Sequence, residues 1–440
     1  MALAGLRSAP DRGLWPRIEI GLVVVFLILF SGGLVQRLVT GEQDTDGNMI
    51  LRVMWLPVYA GVIALAMTRF TAMVRLALRM PFLMILVALA LVSFLWSIDP
   101  TLSLRRGVAA AATTLFAMYL VVRYDAIDLL RLVGGVWLGL AVLSFLAGIA
   151  APGFARMQDI HAGAWRGFWF EKNSLGGQMA RASMVFAVLV IADPARRRLW
   201  AGAFALAGLL VLLSTSATAL IALVIAMAAA LGGALMQRGS VQAVVLAWIG
   251  ASLAGALVLV ILLAPDLVLG LLGKDPTLTG RTNIWSALMG SISERPWLGY
   301  GYDAFWAPDS LPAHWVRVAV RWEAPSAHHG WLDLCLSLGL VGLAAFSLHM
   351  AVTVWRAVRV FLDHRFAIFA GGFLCQFLLF TSSESLILAS NHMAWIFYVI
   401  VAGQLAKGLG ESGRVEARGR RGSSGLRIER SDSFVWRGPA

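Results

Sequence analysis

The chain has 440 residues, of which 59% are hydrophobic and 14% charged, and its formal net charge is +12. With a mean hydropathy of +0.79, that composition excludes an ordinary soluble globular enzyme and predicts an all-α polytopic membrane protein. The two cysteines, Cys335 and Cys375, both fall inside apolar stretches and give no sign of a disulfide framework or of metal ligation.

Runs of about 17–25 apolar residues cross a bilayer as helices, which satisfy every backbone polar group internally. About twelve are predicted, over 18–39, 49–67, 81–97, 107–122, 128–150, 174–192, 199–214, 216–236, 242–264, 330–353, 366–385 and 390–406. Residues 1–17 precede them and residues 407–440 form an arginine-rich Gly/Ser tail expected to lack a fixed fold. The first apolar stretch is long enough to span and no small-residue cleavage site clearly ends it, so it reads as a membrane helix rather than a leader.

Arginines fix the orientation. One set of alternate connections holds Arg69, Arg75 and Arg79, then Arg123 and Arg131, Arg196 to Arg198, Arg238, and Arg356, Arg359 and Arg365. That set is expected to be cytoplasmic, with both termini. The first outer connection, GEQDTDGN at 41–48, is acidic, and the last, TSSESLILASNH at 381–392, has no Lys or Arg. Residues 272–329 are then one long exoplasmic loop, polar and rich in tryptophan, and loops of that length usually carry function. The Asp44–Asp46 triplet is too common a pattern to mark a metal, and the scattered His314, His349, His364 and His392 show no zinc-ligand spacing. No basic folded domain stands clear of the membrane, which excludes nucleic acid as a partner.

Cations on the outer side are exceptions to the charge rule: Arg105 and Arg106, Arg166, Lys172 and Arg281. Arginines near hydrocarbon are costly and tend to be kept for a pathway, a partner charge or a ligand. Asp99 and Glu171 are too few to neutralise them, so an anion is the expected partner. A lipid-borne diphosphate matches several Arg and Lys donors, and the alternative for Arg105 and Arg106 is that they snorkel to membrane lipid headgroups.

His328 and His329 precede the tenth predicted helix, and Asp333 lies four residues after His329. On a helix that spacing would set the carboxylate against the His329 imidazole and raise its basicity, so the pair reads as a general base. Glu384, a carboxylate at the outer end of a span, is a second base candidate or a sugar acceptor. Trp297, Tyr300, Tyr302, Phe305 and Trp306 are either a stacking platform for sugar rings or interfacial aromatics.

These motifs, SFLWSIDPTLSLRRG at 93–107, RGFWFEKNSLGG at 166–177, LTGRTNIW at 278–285, ERPWLGYGYDAF at 294–305 and AHHGWLDLCLSLGLVG at 327–342, resemble the O-antigen ligase and Wzy-type polysaccharide polymerase superfamily. Their wording is most similar to polymerases of the ExoQ type. The resemblance implies a GT-C-like helical bundle in the bacterial inner membrane, with its active site facing the periplasm beneath the long loop. It implies an inverting glycosyltransferase that needs no metal or other cofactor. The donor would be an undecaprenyl-diphosphate-linked glycan and the acceptor a second glycan or lipid A core, with other polysaccharide-assembly proteins as partners. The family's loop arginine falls on Arg281 and its loop histidine on His328, with His329 where asparagine is common. Many relatives carry an arginine after serine at the start of a mid-chain helix, where STSATAL here has Ala217 and Thr218; Arg166 or Lys172 is expected to supply that charge. A polysaccharide transporter or flippase is the rival class. Against it, the sequence shows no repeated half and no matched pair of broken helices.

Overall fold

The structure, a computed structural model, describes residues 14–40, 49–158, 161–236, 239, 241–242, 244–245, 281–360 and 365–423, with side chains described at all of these except 14, 281–282, 365, 367 and 409–423. Helix α1 (Leu14–Phe30) bends by 59° into α2 (Leu34–Thr40), through Gly32 at φ +70. Next come α3 (Met49–Met67) and α4 (Phe70–Leu78), which turns by 103° into α5 (Pro81–Val92). Then follow α6 (Pro100–Arg123), α7 (Ala126–Ala150), the short α8 (Pro152–Ala155), α9 (Lys172–Ala192), α10 (Arg197–Leu213) and α11 (Ala217–Met236). After residues 246–280, which lie outside the described part, come α12 (Arg281–Glu294), α13 (Leu311–Val320), α14 (Gly330–Arg359), α15 (Arg365–Thr381) and α16 (Met393–Ser423).

Among the described residues 6 helices are long and apolar enough to cross a membrane, or up to 8 if each bent pair counts as one span. The expected twelve are therefore not all found. Most of the predicted span 242–264 lies outside the described residues, as do the N-terminal residues up to 13 and the acidic connection 41–48. The predicted 366–385 span stops at Thr381, and α16 starts at Met393. The tail expected to lack a fold is helical as far as Ser423, in keeping with the high helix propensity of its Glu, Ala and Arg residues.

Helix α6 shows how charge is distributed between the two ends of the bundle. Asp99 caps it, accepting from Leu102 N at 2.9 Å. Arg105 and Arg106 lie near this start, and Arg123 is the last residue, about 26 Å away at 1.5 Å per residue. At the Arg123 end, Arg123 Nε meets Glu19 at 2.5 Å, and Arg131 binds Asp128 at 2.8 Å and Asp193 at 3.1 Å. Arg123 and Arg131, both assigned to the cytoplasm, thus sit in ion pairs at one end of α6, and the clefts that hold Arg105 and Arg106 lie at the other.

The stretch read as a long loop is ordered over 281–329. Helices α12 and α13 share a small core of Ile284, Leu288, Tyr300, Phe305 and Val316, packed on Leu336 of α14. Helix α14 is itself broken at Gly339, at φ 63 and ψ −164. The segment Pro296–Gly301 is stitched into that break: Tyr300 N and Gly301 N donate to the carbonyls of Leu336 and Ser337 at 2.7 and 3.1 Å, and Leu340 N and Val341 N donate back to those of Pro296 and Trp297 at 2.7 and 3.2 Å. Irregular backbone is tolerated beside a membrane where protein satisfies its polar groups. A methyl group at Gly339 would run into the Trp297 carbonyl, and one at Gly299 into that of Leu336. These glycines let two backbones touch.

Candidate active site

The starts of α3, α6 and α9 and the connection from α15 to α16 enclose a cleft of about 1170 Å³. Met49, Val53 and Leu56 of α3 give it apolar surface, while Arg52 of the same helix, Arg105, Arg106, Arg181 and Glu384 bring charge into it. A polar cleft of about 420 Å³, lined by Asp99, Asp303, Asp333, Ser385 and Trp306, shares Arg52, Thr101, Arg105 and Arg106 with the first. Arg106 also reaches a smaller cavity of about 160 Å³. Its Nε lies 3.8 Å from Asp303 Oδ2. Arg105 and Arg106 of α6 therefore form the partition between the large cleft and the polar one.

His328 stands beside this partition. Its backbone is left-handed, at φ 47, and its N–H donates to Ser326 Oγ at 3.2 Å. The imidazole stacks on Trp322, with ring centroids 5.6 Å apart and planes 9° from parallel. Its Nδ1 is 3.9 Å from Glu384 Oε2, and neither ring nitrogen has a hydrogen-bond partner among the described residues. Glu384 lines the large cleft, so a carboxylate connects the imidazole to it.

The His329–Asp333 pair expected from the sequence does not form. Helix α14 begins at Gly330, which makes His329 its N-cap with an extended backbone at φ −157, and four-residue helical spacing does not apply there. His329 Nδ1 accepts from Leu332 N at 3.4 Å, and the ring meets Trp285 edge-on at 5.2 Å. Burial holds its pKa below the ordinary histidine value. Asp333 instead accepts from Trp306 Nε1 at 2.7 Å, from Ala327 N at 3.1 Å and from the Ser385 hydroxyl. It braces the histidine turn from below and lines the polar cleft.

The other expected residues separate. Arg105 and Arg106 come together in the clefts. Arg166 is buried in the connection between α8 and α9, where its Nε donates to the Phe154 carbonyl at 3.2 Å, and it does not line the large cleft. Lys172, the first residue of α9, donates from Nζ to Thr215 Oγ1 at 3.4 Å, also away from that cleft. Arg281 opens α12, and its side chain lies outside the described ones; α12 docks on the histidine turn through Trp285, whose Nε1 donates to the Ala327 carbonyl at 3.0 Å.

The expected aromatic platform is dispersed. Trp297 is 68% exposed, whereas Tyr300 is buried with its hydroxyl donating to the Ser291 carbonyl or Glu294 Oε2, each 2.9 Å away. Burial and then Glu294 push the Tyr300 pKa up to about 12. Of the five aromatics only Trp306 lines the polar cleft, with Tyr302 at the small cavity beneath it.

Three participants escaped the sequence reading: Arg52, Arg181 and Trp322. Arg181 carried a signal, since a guanidinium nine residues into an apolar span is unusual in itself. Attention to the connections between helices passed over it. Arg52 and Trp322 carried no local signal, because only the fold brings them to the cleft and to His328.

The fold and site define a multi-pass, all-helical membrane protein whose charged clefts gather at one end of the bundle under a folded cap. Residues 202–347 match the Wzy_C family model, described as O-antigen ligase. The chain is also 28% identical over 265 residues to the exopolysaccharide production protein ExoQ of Rhizobium meliloti (strain 1021), an alignment covering 58% of this chain and 60% of that protein. The chain thus spans about three fifths of the length of the curated relative it matches. Both findings support the O-antigen ligase and ExoQ-type family, the one that the sequence motifs resemble. The matched stretch 202–347 encloses α12, α13 and the histidine turn.

Proposed function

We propose that this protein is a membrane glycosyltransferase that polymerises glycan repeats carried on undecaprenyl diphosphate, with the charged end of the bundle facing the periplasm of a bacterial inner membrane. One observation carries the reading: an imidazole with no hydrogen-bond partner among the described residues lies 3.9 Å from Glu384, a carboxylate lining a cleft that holds both apolar surface and a set of arginines. The apolar surface suits a lipid tail and the arginines suit its diphosphate. The polar cleft next door suits a sugar acceptor, with Asp333 and Ser385 able to meet hydroxyls.

In the reaction, an acceptor hydroxyl attacks the anomeric carbon of the donor and His328 takes its proton. The new glycosidic bond forms as the bond from that carbon to the diphosphate oxygen breaks, and the electron pair leaves with undecaprenyl diphosphate. Attack opposite the leaving group inverts the anomeric centre. Glu384 steadies the imidazolium, and Arg105, Arg106 and, by the family resemblance, Arg281 meet the growing charge on the leaving group without a metal ion.

Similarity to an exopolysaccharide production protein favours polymerisation over ligation to lipid A core. The test is turnover by purified protein in detergent micelles, given an undecaprenyl-diphosphate-linked oligosaccharide. Lipid-linked chains longer than the input support the polymerase, and transfer only after lipid A core is added supports the ligase. No product with either acceptor would remove the enzyme reading and leave a transporter.

A further inference from the structure

The reading above leaves unused the most deeply buried charge in the large cleft. Ser174, Gly177, Gln178 and Arg181 recur at helical spacing on one face of α9, and all line that cleft. Arg181 is 5% exposed, yet its Nε has no hydrogen-bond partner among the described residues, and its guanidinium lies 5.2 Å over the Phe380 ring. Glu384 lines the same cleft, and no ion pair joins the two among the described residues. His392, Glu171, Tyr59 and the arginines Arg52, Arg105 and Arg106 are the other titratable or charged groups lining that cleft. Gln178, 1% exposed, donates from Nε2 to the Ser31 carbonyl at 3.0 Å, while its Oε1 has no partner among the described residues. A guanidinium shut away from water with donors to spare is costly to keep.

We infer that Arg181 is the deep seat for the donor lipid's diphosphate, with Gln178 Oε1 beside it accepting from a hydroxyl of the first sugar. This rests on the glycosyltransferase reading and adds to it the position of the anion. Arg181 lies nine residues into α9, roughly 13 Å along the helix from Lys172. Arg105 and Arg106 begin α6 at the rim. The diphosphate therefore sits below the rim arginines, with Met49, Val53 and Leu56 of α3 beside it for the lipid tail, and Glu384, 3.9 Å from His328 Nδ1, lines the same cleft. Arg181 supplies from α9 the charge that Ala217 and Thr218 do not supply at the start of α11.

The test is binding of glycan-free undecaprenyl diphosphate to purified protein, read by quenching of tryptophan fluorescence, since Trp55 and Trp169 line the same cleft. Arg181→Gln is expected to weaken binding by about 10- to 100-fold, the range for losing one charge-assisted hydrogen-bonding partner. Arg181→Lys should recover part of it, and His328→Asn should bind as the parent does. Should Arg181→Gln fail to fold, the parent protein still decides: phenylglyoxal should modify Arg181, by peptide mass, and the lipid diphosphate should protect it. Equal binding by a folded Arg181→Gln variant, an Arg181 that the reagent never reaches, or modification that the lipid does not slow would each overturn the inference while leaving the glycosyltransferase reading intact. A parent protein that neither binds the lipid nor turns over would instead remove that reading.

Discussion

Exchanging each histidine of the pair for asparagine separates their roles, because asparagine satisfies the backbone demands of both positions. His328 has a left-handed backbone, a conformation asparagine adopts more readily than most residues. His329 is an N-cap, where asparagine is among the best residues. Neither exchange should unfold the histidine turn, so a rate change reports chemistry. If His328 is the base, His328→Asn lowers kcat by about 10²- to 10⁴-fold, which is roughly 3 to 5 kcal/mol in the barrier. His329→Asn leaves kcat within about tenfold of the parent, because the His329 Nδ1 is engaged as the cap of α14 and Asp333 is held by Trp306, Ala327 and Ser385. Lipid-linked glycan elongation by purified protein, under single-turnover conditions, reads both. A full rate from His328→Asn, or an equal loss from His329→Asn, would refute the assignment of the base.

Glu384→Gln keeps the shape of the side chain and removes its charge 3.9 Å from His328 Nδ1. Two unit charges that far apart interact by about 4 kcal/mol at an effective dielectric of 20, an upper bound for a partly exposed pair, so a rate loss of about tenfold or more is expected in the same assay. Stability should depend on pH through His329. Burial lowers its folded pKa, so as the pH falls the unfolded chain binds its proton first, and stability present above about pH 6.5 is lost through that value until the folded pKa is reached. Melting temperatures measured from pH 8 down to pH 5 should fall less steeply for His329→Asn, and identical slopes would show that His329 is not the group responsible. Gly339→Ala forces a methyl group against the Trp297 carbonyl at a backbone angle only glycine adopts easily. A loss of about 1–3 kcal/mol in stability, or more, is expected, and unchanged thermal unfolding in detergent would mean the break in α14 is not needed.

The sequence alone determined that this chain is a helical membrane protein and where its main apolar segments lie. Hydropathy and arginine spacing are properties of single segments, so they survive without a fold. The motif wording likewise placed His328, His329, Arg105 and Arg106 among the residues of interest. Partnership required the tertiary structure. Whether His329 could face Asp333 depended on where α14 begins, and a one-residue shift turned His329 into a cap and Asp333 into a brace. Glu384 reaches His328 across 56 residues of sequence, and Arg181 reaches the same cleft from another helix altogether. The aromatic run from Trp297 to Trp306 looked like a surface for sugars. Only the packed structure shows it sewn into a broken helix, because backbone hydrogen bonds between distant segments leave no periodic trace in either.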